Sequence, residues 1–159
     1  MNLKILSLFA AVLLVTACTQ SKTDTGATQG GGQQIQTGGG GSQGFRDQMA
    51  AAGDRIYFAF DRSDITAESR QVLLRQAALL NQNPSVTVTI EGHCDERGTV
   101  EYNLGLGERR ANATKQALIA LGVAVGRINV ISYGKERPAV PGHNEQAWAQ
   151  NRRAVTVTN

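Results

Sequence analysis

Cysteine and histidine are nearly absent from this chain of 159 residues, with two of each. His93 and Cys94 are neighbours, and no CxxC or HExxH pattern accompanies them. Zinc chemistry is therefore not expected, nor is any other metal or cofactor. Charge of one sign is also lacking. The formal net charge is +3 with no dense Lys/Arg run, which argues against nucleic acid as a partner. No apolar run is long enough to cross a membrane: the longest, residues 5–15, falls well short of the roughly 20 residues a helical span needs. There is no Walker pattern, no serine in a nucleophile elbow and no internal repeat. Glycine is plentiful but uneven: nine of 18 lie between Gly26 and Gly44, so the packed part must lie elsewhere.

What the chain does have begins with a leader. Lys4, the apolar run and the small residues that follow read as a signal peptide over residues 1–17. Val15-Thr16-Ala17-Cys18 resembles the bacterial lipobox. That resemblance implies S-diacylglycerol and N-palmitoyl groups on Cys18. Several acyl chains, at about 0.8 kcal/mol per buried methylene, anchor a protein stably. With Cys18 lipidated, Cys94 has no partner and no disulfide is expected. Residues 18–54 are rich in Gly, Gln, Thr and Ser and read as a flexible tether, with a possible helical turn at Phe45–Ala52. The relaxed reach of roughly 35 such residues is about 30–35 Å.

Residues 55–159 carry the periodicities of an α/β domain. A strand over 56–60 leads through the turn Asp61-Arg62-Ser63-Asp64 into a helix from about 65. Glu68 suits that helix's positive end, Pro84 lies past its finish, and Val72, Leu73, Ala77 and Leu80 form its inner face. Val86, Val88 and Ile90 alternate with polar residues as a half-buried strand. A loop over 92–100 precedes a long helix over 101–121, with Ala111, Thr114, Leu118 and Leu121 inward and Gly122 as its stop. A strand over 128–133, a short helix over 145–149 and a strand over 154–158 complete a mixed four-stranded sheet packed against helices.

Three polar clusters stand at the ends of these elements: Asp61 to Asp64, Gly92 to Gly98, and Tyr102-Asn103 with Glu108-Arg109-Arg110. Loops after strand ends form the usual ligand-binding rim of such a sheet. Acidic and basic groups gathered there suit a zwitterion: a carboxylate holds an ammonium while a guanidinium forks onto a carboxylate.

The order Gly92-His93-x-Asp95-x-x-Gly98, Tyr102-Asn103-x-x-Leu106-Gly107-x-Arg109-Arg110-Ala111 and Asn151-Arg152-Arg153 resembles the OmpA-like peptidoglycan-binding domain. Asp95 to Thr99, and Ser132 to Pro138, make the resemblance closest to the lipoprotein branch of that family. The resemblance implies non-covalent binding of peptidoglycan through meso-diaminopimelate of the stem peptide. Asp95 and Arg110 match the positions that grip its free amino-acid end, and Phe60, Asp61, Asn103 and Leu104 are further candidates. It also implies an outer-membrane lipoprotein facing the periplasm. Its partners would be TolB and other proteins of the Tol system, in support of envelope integrity and cell division. Thr19, rather than Asp, after the lipid site resembles outer-membrane sorting.

Read without the family, the same residues allow plainer roles. Asp95 could cap its loop or pair with Arg97, Arg110 could be a surface cation, and Asn103 could bond loop backbone. His93 reads as a loop-stabilising hydrogen-bond donor, Trp148 as a packing anchor, and one of Arg152 and Arg153 faces the pocket. A peptidoglycan-modifying enzyme is the first rival, but arginines among the carboxylates lower their pKa values instead of raising one into an acid's range. A flagellar-stator-like wall anchor is the second, and the leader lacks the length and the acidic group such a protein needs. The anchor itself is testable: Cys18→Ser should abolish palmitate incorporation, and normal labelling of that variant would remove the lipid site.

Overall fold

The computed structural model describes residues 40–159; the leader, Cys18 and the glycine-rich segment before residue 40 lie outside the described residues. Its elements are α1 (Gly40–Ala52), β1 (Arg55–Tyr57), α2 (Ala67–Gln82), β2 (Val88–His93), α3 (Val100–Ala120), a 3₁₀ turn (Val125–Arg127), β3 (Ile128–Gly134), α4 (Glu145–Asn151) and β4 (Arg153–Thr158). The sheet order is β1-β4-β2-β3, with β2 and β3 parallel and β4 antiparallel to both β1 and β2. The expected mixed four-stranded sheet is what forms.

Local chemistry sets the helix ends. Thr66 accepts from the Ser69 N–H at 3.1 Å, and Thr99 accepts from that of Tyr102 at 3.2 Å. Gly122, at φ +95°, ends α3 in the left-handed region. Leu73, Ala77 and Leu80 of α2 meet Ala111 and Leu118 of α3 over Ile56, Val88, Ile90, Ile128 and Ala154. Val72 and Leu121, expected inward, are only partly buried. Gln76 takes a place on the inner face of α2 instead. It is fully buried, donates to Gly53 O at 2.6 Å and accepts from Thr156 Oγ1 at 2.8 Å, so both ends of its amide are satisfied.

One close approach determines how α3 lies on the sheet. A Cβ on Gly92 would collide with the Gly107 carbonyl, and a Cβ on Gly107 would collide with Ser132 Oγ. Two missing side chains thus let a helix backbone touch a strand backbone. Arg110, one turn beyond Gly107, is thereby driven down beside the end of β2.

Two boundaries differ from the sequence reading. β1 stops at Tyr57 rather than at residue 60. The Phe58 N–H still bonds Arg152 O at 2.9 Å, but the Ala59 and Arg62 carbonyls turn to the Arg110 guanidinium, and Asp61 adopts φ +55°. The larger correction concerns the tether, expected to run to residue 54. Residues 40–52 form helix α1, and Phe45 and Met49, on one face at i and i+4, are buried in the core beside α2. Arg75 Nε donates to Ala52 O at 2.9 Å at the helix end, where Gly53 has φ +96°. Glycine and alanine dominate this stretch, so two apolar side chains carry the whole amphipathic signal. Met49→Ala should therefore destabilise the protein by about 2–5 kcal/mol in urea unfolding. Gln43→Ala, on the exposed side, should stay within about 0.5 kcal/mol.

Candidate functional site

The loops leaving β1 and β2 and the first turns of α3 enclose a pocket of about 170 Å³, lined by Phe60, Asp61, Cys94, Asp95, Arg97, Gly98, Tyr102, Asn103, Leu106 and Arg110. Five of the six expected ligand-binding residues line it: Phe60, Asp61, Asp95, Asn103 and Arg110. Leu104 does not. It points from the neighbouring side of α3 into a separate cleft beside β3, with Val130 and Ile131, because successive helical residues face different directions.

Arg110 is fully buried. Its Nε donates to Arg62 O at 2.9 Å, Nη1 to His93 O at 2.8 Å and Nη2 to Ala59 O at 3.2 Å. Its Cζ lies 5.3 Å from the Phe58 ring centroid. No carboxylate pairs with it among the described residues, and the guanidinium fork has N–H groups left over. Burial pulls its pKa down.

Asp95 is 4 % exposed. Burial alone would raise its pKa, but the Arg97 side chain, the Arg97 N–H and Arg152 together bring it below the ordinary value. Arg97 binds it from outside, at 3.1 Å to Oδ1 and 2.5 Å to Oδ2, and Arg152 Nη1 reaches Oδ2 from inside at 3.3 Å. Arg152 is also held by Phe58 O at 3.0 Å and Glu145 at 2.7 Å. Of the two adjacent arginines, Arg152 therefore serves the site. Arg153 instead bonds the Asn151 and Arg137 carbonyls.

The remaining groups shape the walls. Asn103 donates to Arg97 O at 2.8 Å and Thr99 O at 3.0 Å, closing the loop across Gly98, whose φ of +93° suits glycine. Its backbone-bonding role is thus real, while its side chain still borders the pocket. Asp61 accepts from the Tyr102 hydroxyl across the mouth. Cys94 Sγ faces Asn103 O at 3.4 Å, and burial pushes its thiol pKa up, so it is an inert part of the wall.

His93 departs from its expected role. The ring is 2 % exposed and neither nitrogen has a hydrogen-bond partner among the described residues; the nearest carboxylate oxygen, on Glu91, is 3.7 Å away. Its carbonyl, not its ring, supports the loop through Arg110. Burial, with Arg153 close by, pushes its pKa down to about 4.

Two residues matter more than the sequence reading allowed. Arg97 lies between the rings of Phe60 and Trp148, 4.0 and 4.1 Å from their centroids, and Trp148 also donates to Glu96 at 2.8 Å. The Asp95-x-Arg97 spacing was the only hint of that pair; Trp148 is remote in sequence. No cluster of three metal-ligating side chains occurs among the described residues, and no described helix is long and apolar enough to cross a membrane.

The OmpA family model matches residues 57–152. A peptidoglycan-associated lipoprotein of Haemophilus influenzae is 45% identical over 157 residues, covering 98% of each chain. Its counterpart in Pasteurella multocida is 43% identical over 96% of this chain and 95% of its own. The crystal structure of the peptidoglycan-associated lipoprotein from Burkholderia pseudomallei superposes with TM-score 0.66 at 42% identity, over 68% of this chain and 92% of that one. The C-terminal domain of Helicobacter pylori MotB shares the fold alone, with TM-score 0.62 at 20% identity over 67% of this chain and 84% of that one.

The buried imidazole generates a pH prediction. The ordinary histidine value is 6.5 and the folded value about 4, so between them the unfolded chain binds a proton that the folded chain refuses. Stability should therefore fall by about 3 kcal/mol as pH drops through that window, and this contribution should level off below it. His93→Gln should remove that part of the slope in denaturant unfolding measured from pH 7 to pH 4. An unchanged slope would show that the ring is already protonated or solvated.

Proposed function

The chain belongs to the OmpA family, in its peptidoglycan-associated lipoprotein branch, and from that premise we propose that it binds peptidoglycan non-covalently through meso-diaminopimelate of the stem peptide. The observation that carries this reading is a buried guanidinium, without a carboxylate partner among the described residues, beside a buried carboxylate in one small pocket. Diaminopimelate ends in an ammonium and a carboxylate on one carbon. Asp95 accepts from the ammonium and Arg110 takes the carboxylate with its remaining N–H groups. Phe60, Asp61 and Asn103 border the bound end. The pocket's volume suits the end of an amino-acid side chain rather than a glycan.

In this reading Cys18 carries the lipid that holds the chain in the outer membrane, the segment after it spans towards the wall, and the domain faces the periplasm. TolB and other Tol proteins are its protein partners, and the link supports envelope integrity and cell division. The protein is a binding module rather than an enzyme. Asp95 is held ionised by arginines, whereas a general acid needs a carboxyl kept protonated. A flagellar-stator role has only the shared fold to recommend it.

Arg110 also ties the loop after β1 to the end of β2, so the cleaner test alters the ligand. Calorimetry with a diaminopimelate stem tripeptide and its lysine analogue should show a tenfold to over a hundredfold preference for the first. The analogue leaves the guanidinium without its carboxylate, a charged hydrogen bond worth about 1.5–3 kcal/mol. Equal affinity for both would overturn the carboxylate assignment.

A further inference from the structure

The carboxylate assigned to the ligand's ammonium is already occupied. Asp95 receives three hydrogen bonds from Arg97: from Nε and from the backbone N–H on Oδ1, each at 3.1 Å, and from Nη2 on Oδ2 at 2.5 Å. Arg152 takes Oδ2 from the inner side at 3.3 Å. With Asp95 only 4 % exposed, an ammonium reaches it only after the Arg97 guanidinium has moved.

The two arginines are not equivalent. Arg152 has an 8 % exposed side chain and is also anchored by Phe58 O and Glu145. Arg97 has a 30 % exposed side chain, and its guanidinium has no other hydrogen-bond partner among the described residues. It is held instead by its stack between Phe60 and Trp148. A second acceptor waits nearby, since Glu145 Oε2 lies 3.8 Å from Arg97 Nη2 on a largely exposed side chain.

We infer that Arg97 is a latch on the ammonium subsite: its side chain occupies Asp95 in the unliganded protein, and a cationic ligand group displaces it towards Glu145. The inference rests on the binding reading above and adds a step to it. The exchange replaces one cation by another, so Asp95 is never left without charge compensation from the outer side. A neutral group in the ligand's place would strand a buried carboxylate with Arg152 alone, which disfavours it strongly. The latch thus lowers affinity for every ligand while rejecting those without a positive charge. It also keeps Asp95 ionised in the absence of ligand.

The test uses the full chain, the diaminopimelate tripeptide, and the same tripeptide acetylated on the side-chain amine of diaminopimelate. Trp148 is the only tryptophan, so its emission reports whether the guanidinium lies on the indole. In the parent, the tripeptide should shift that emission and the acetylated form should neither shift it nor bind. Arg97→Ala should start near the released emission, change little on titration, and bind the tripeptide at least about fivefold more tightly. It should also bind the acetylated form measurably less poorly. Arg97→Lys keeps the cation but loses the fork and the flat stack, so its affinity should fall between the two. Circular dichroism would establish that both variants fold. Should the parent bind the tripeptide while Trp148 emission stays constant, or should Arg97→Ala bind more weakly than the parent, the latch is wrong and the subsite assignment survives. Failure of the parent to bind the tripeptide at all would remove the subsite and the latch together.

Discussion

A guanidinium without water has to be given other dipoles, and this requirement at Arg110 organises the functional end of the domain. The Ala59 and Arg62 carbonyls come from the loop after β1, and the His93 carbonyl from the end of β2. Those segments are remote in sequence and meet because one cation draws on all three oxygens. The turn at Asp61, the early end of β1 and the pocket's inner wall follow from that demand. Carbonyl dipoles stabilise the charge without neutralising it, which leaves Arg110 able to bind an anion.

Its depth is set by absent side chains. Gly92 and Gly107 let α3 settle onto β2 and β3 with backbone against backbone, and any Cβ there would lift the helix away from the sheet. The geometry of the pocket thus depends on packing a turn below it. The His93 ring is buried beside Tyr133, and without a hydrogen-bond partner among the described residues it is an energetic liability, while the carbonyl of that residue bonds Arg110.

Opposite Arg110 the electrostatics run the other way. Asp95 is as buried as a core residue, and ionisation is sustained by Arg97 outside and Arg152 inside, with Glu145 balancing both arginines. Arg110 and Asp95 border one small pocket, where buried charges interact far more strongly than at a surface. Such an arrangement suits the zwitterionic end proposed as its ligand. It does poorly at acid catalysis, which needs a carboxyl that stays protonated.

Much of this was legible in the chain. The alternation of Val88 and Ile90 with polar neighbours, the helical spacing of Leu73, Ala77 and Leu80, and the stop glycine after α3 are local patterns, and local physics makes elements from them. The candidate site was legible as residue types at strand ends, and the ordered motif from Gly92 to Ala111 made Asp95 and Arg110 stand out. Four things depended on contacts between distant segments. Leu104 faces Val130 and Ile131 because that side of α3 lies along β3. Residues 40–52 became part of the core because Phe45 and Met49 found α2, which glycine-rich composition concealed. Arg152, the cap of α4, reaches Asp95, whereas Arg153, the first residue of β4, turns to the Arg137 carbonyl. Arg97 came to lie on Asp95 between Phe60 and Trp148, an arrangement drawn from the loops after β1 and β2 and from helix α4. Sequence by itself determined the elements and the chemical groups available, since both depend on neighbours along the chain. Which of those groups are buried, paired or left open was decided only by tertiary packing, because desolvation and charge pairing act between residues that the chain does not place side by side.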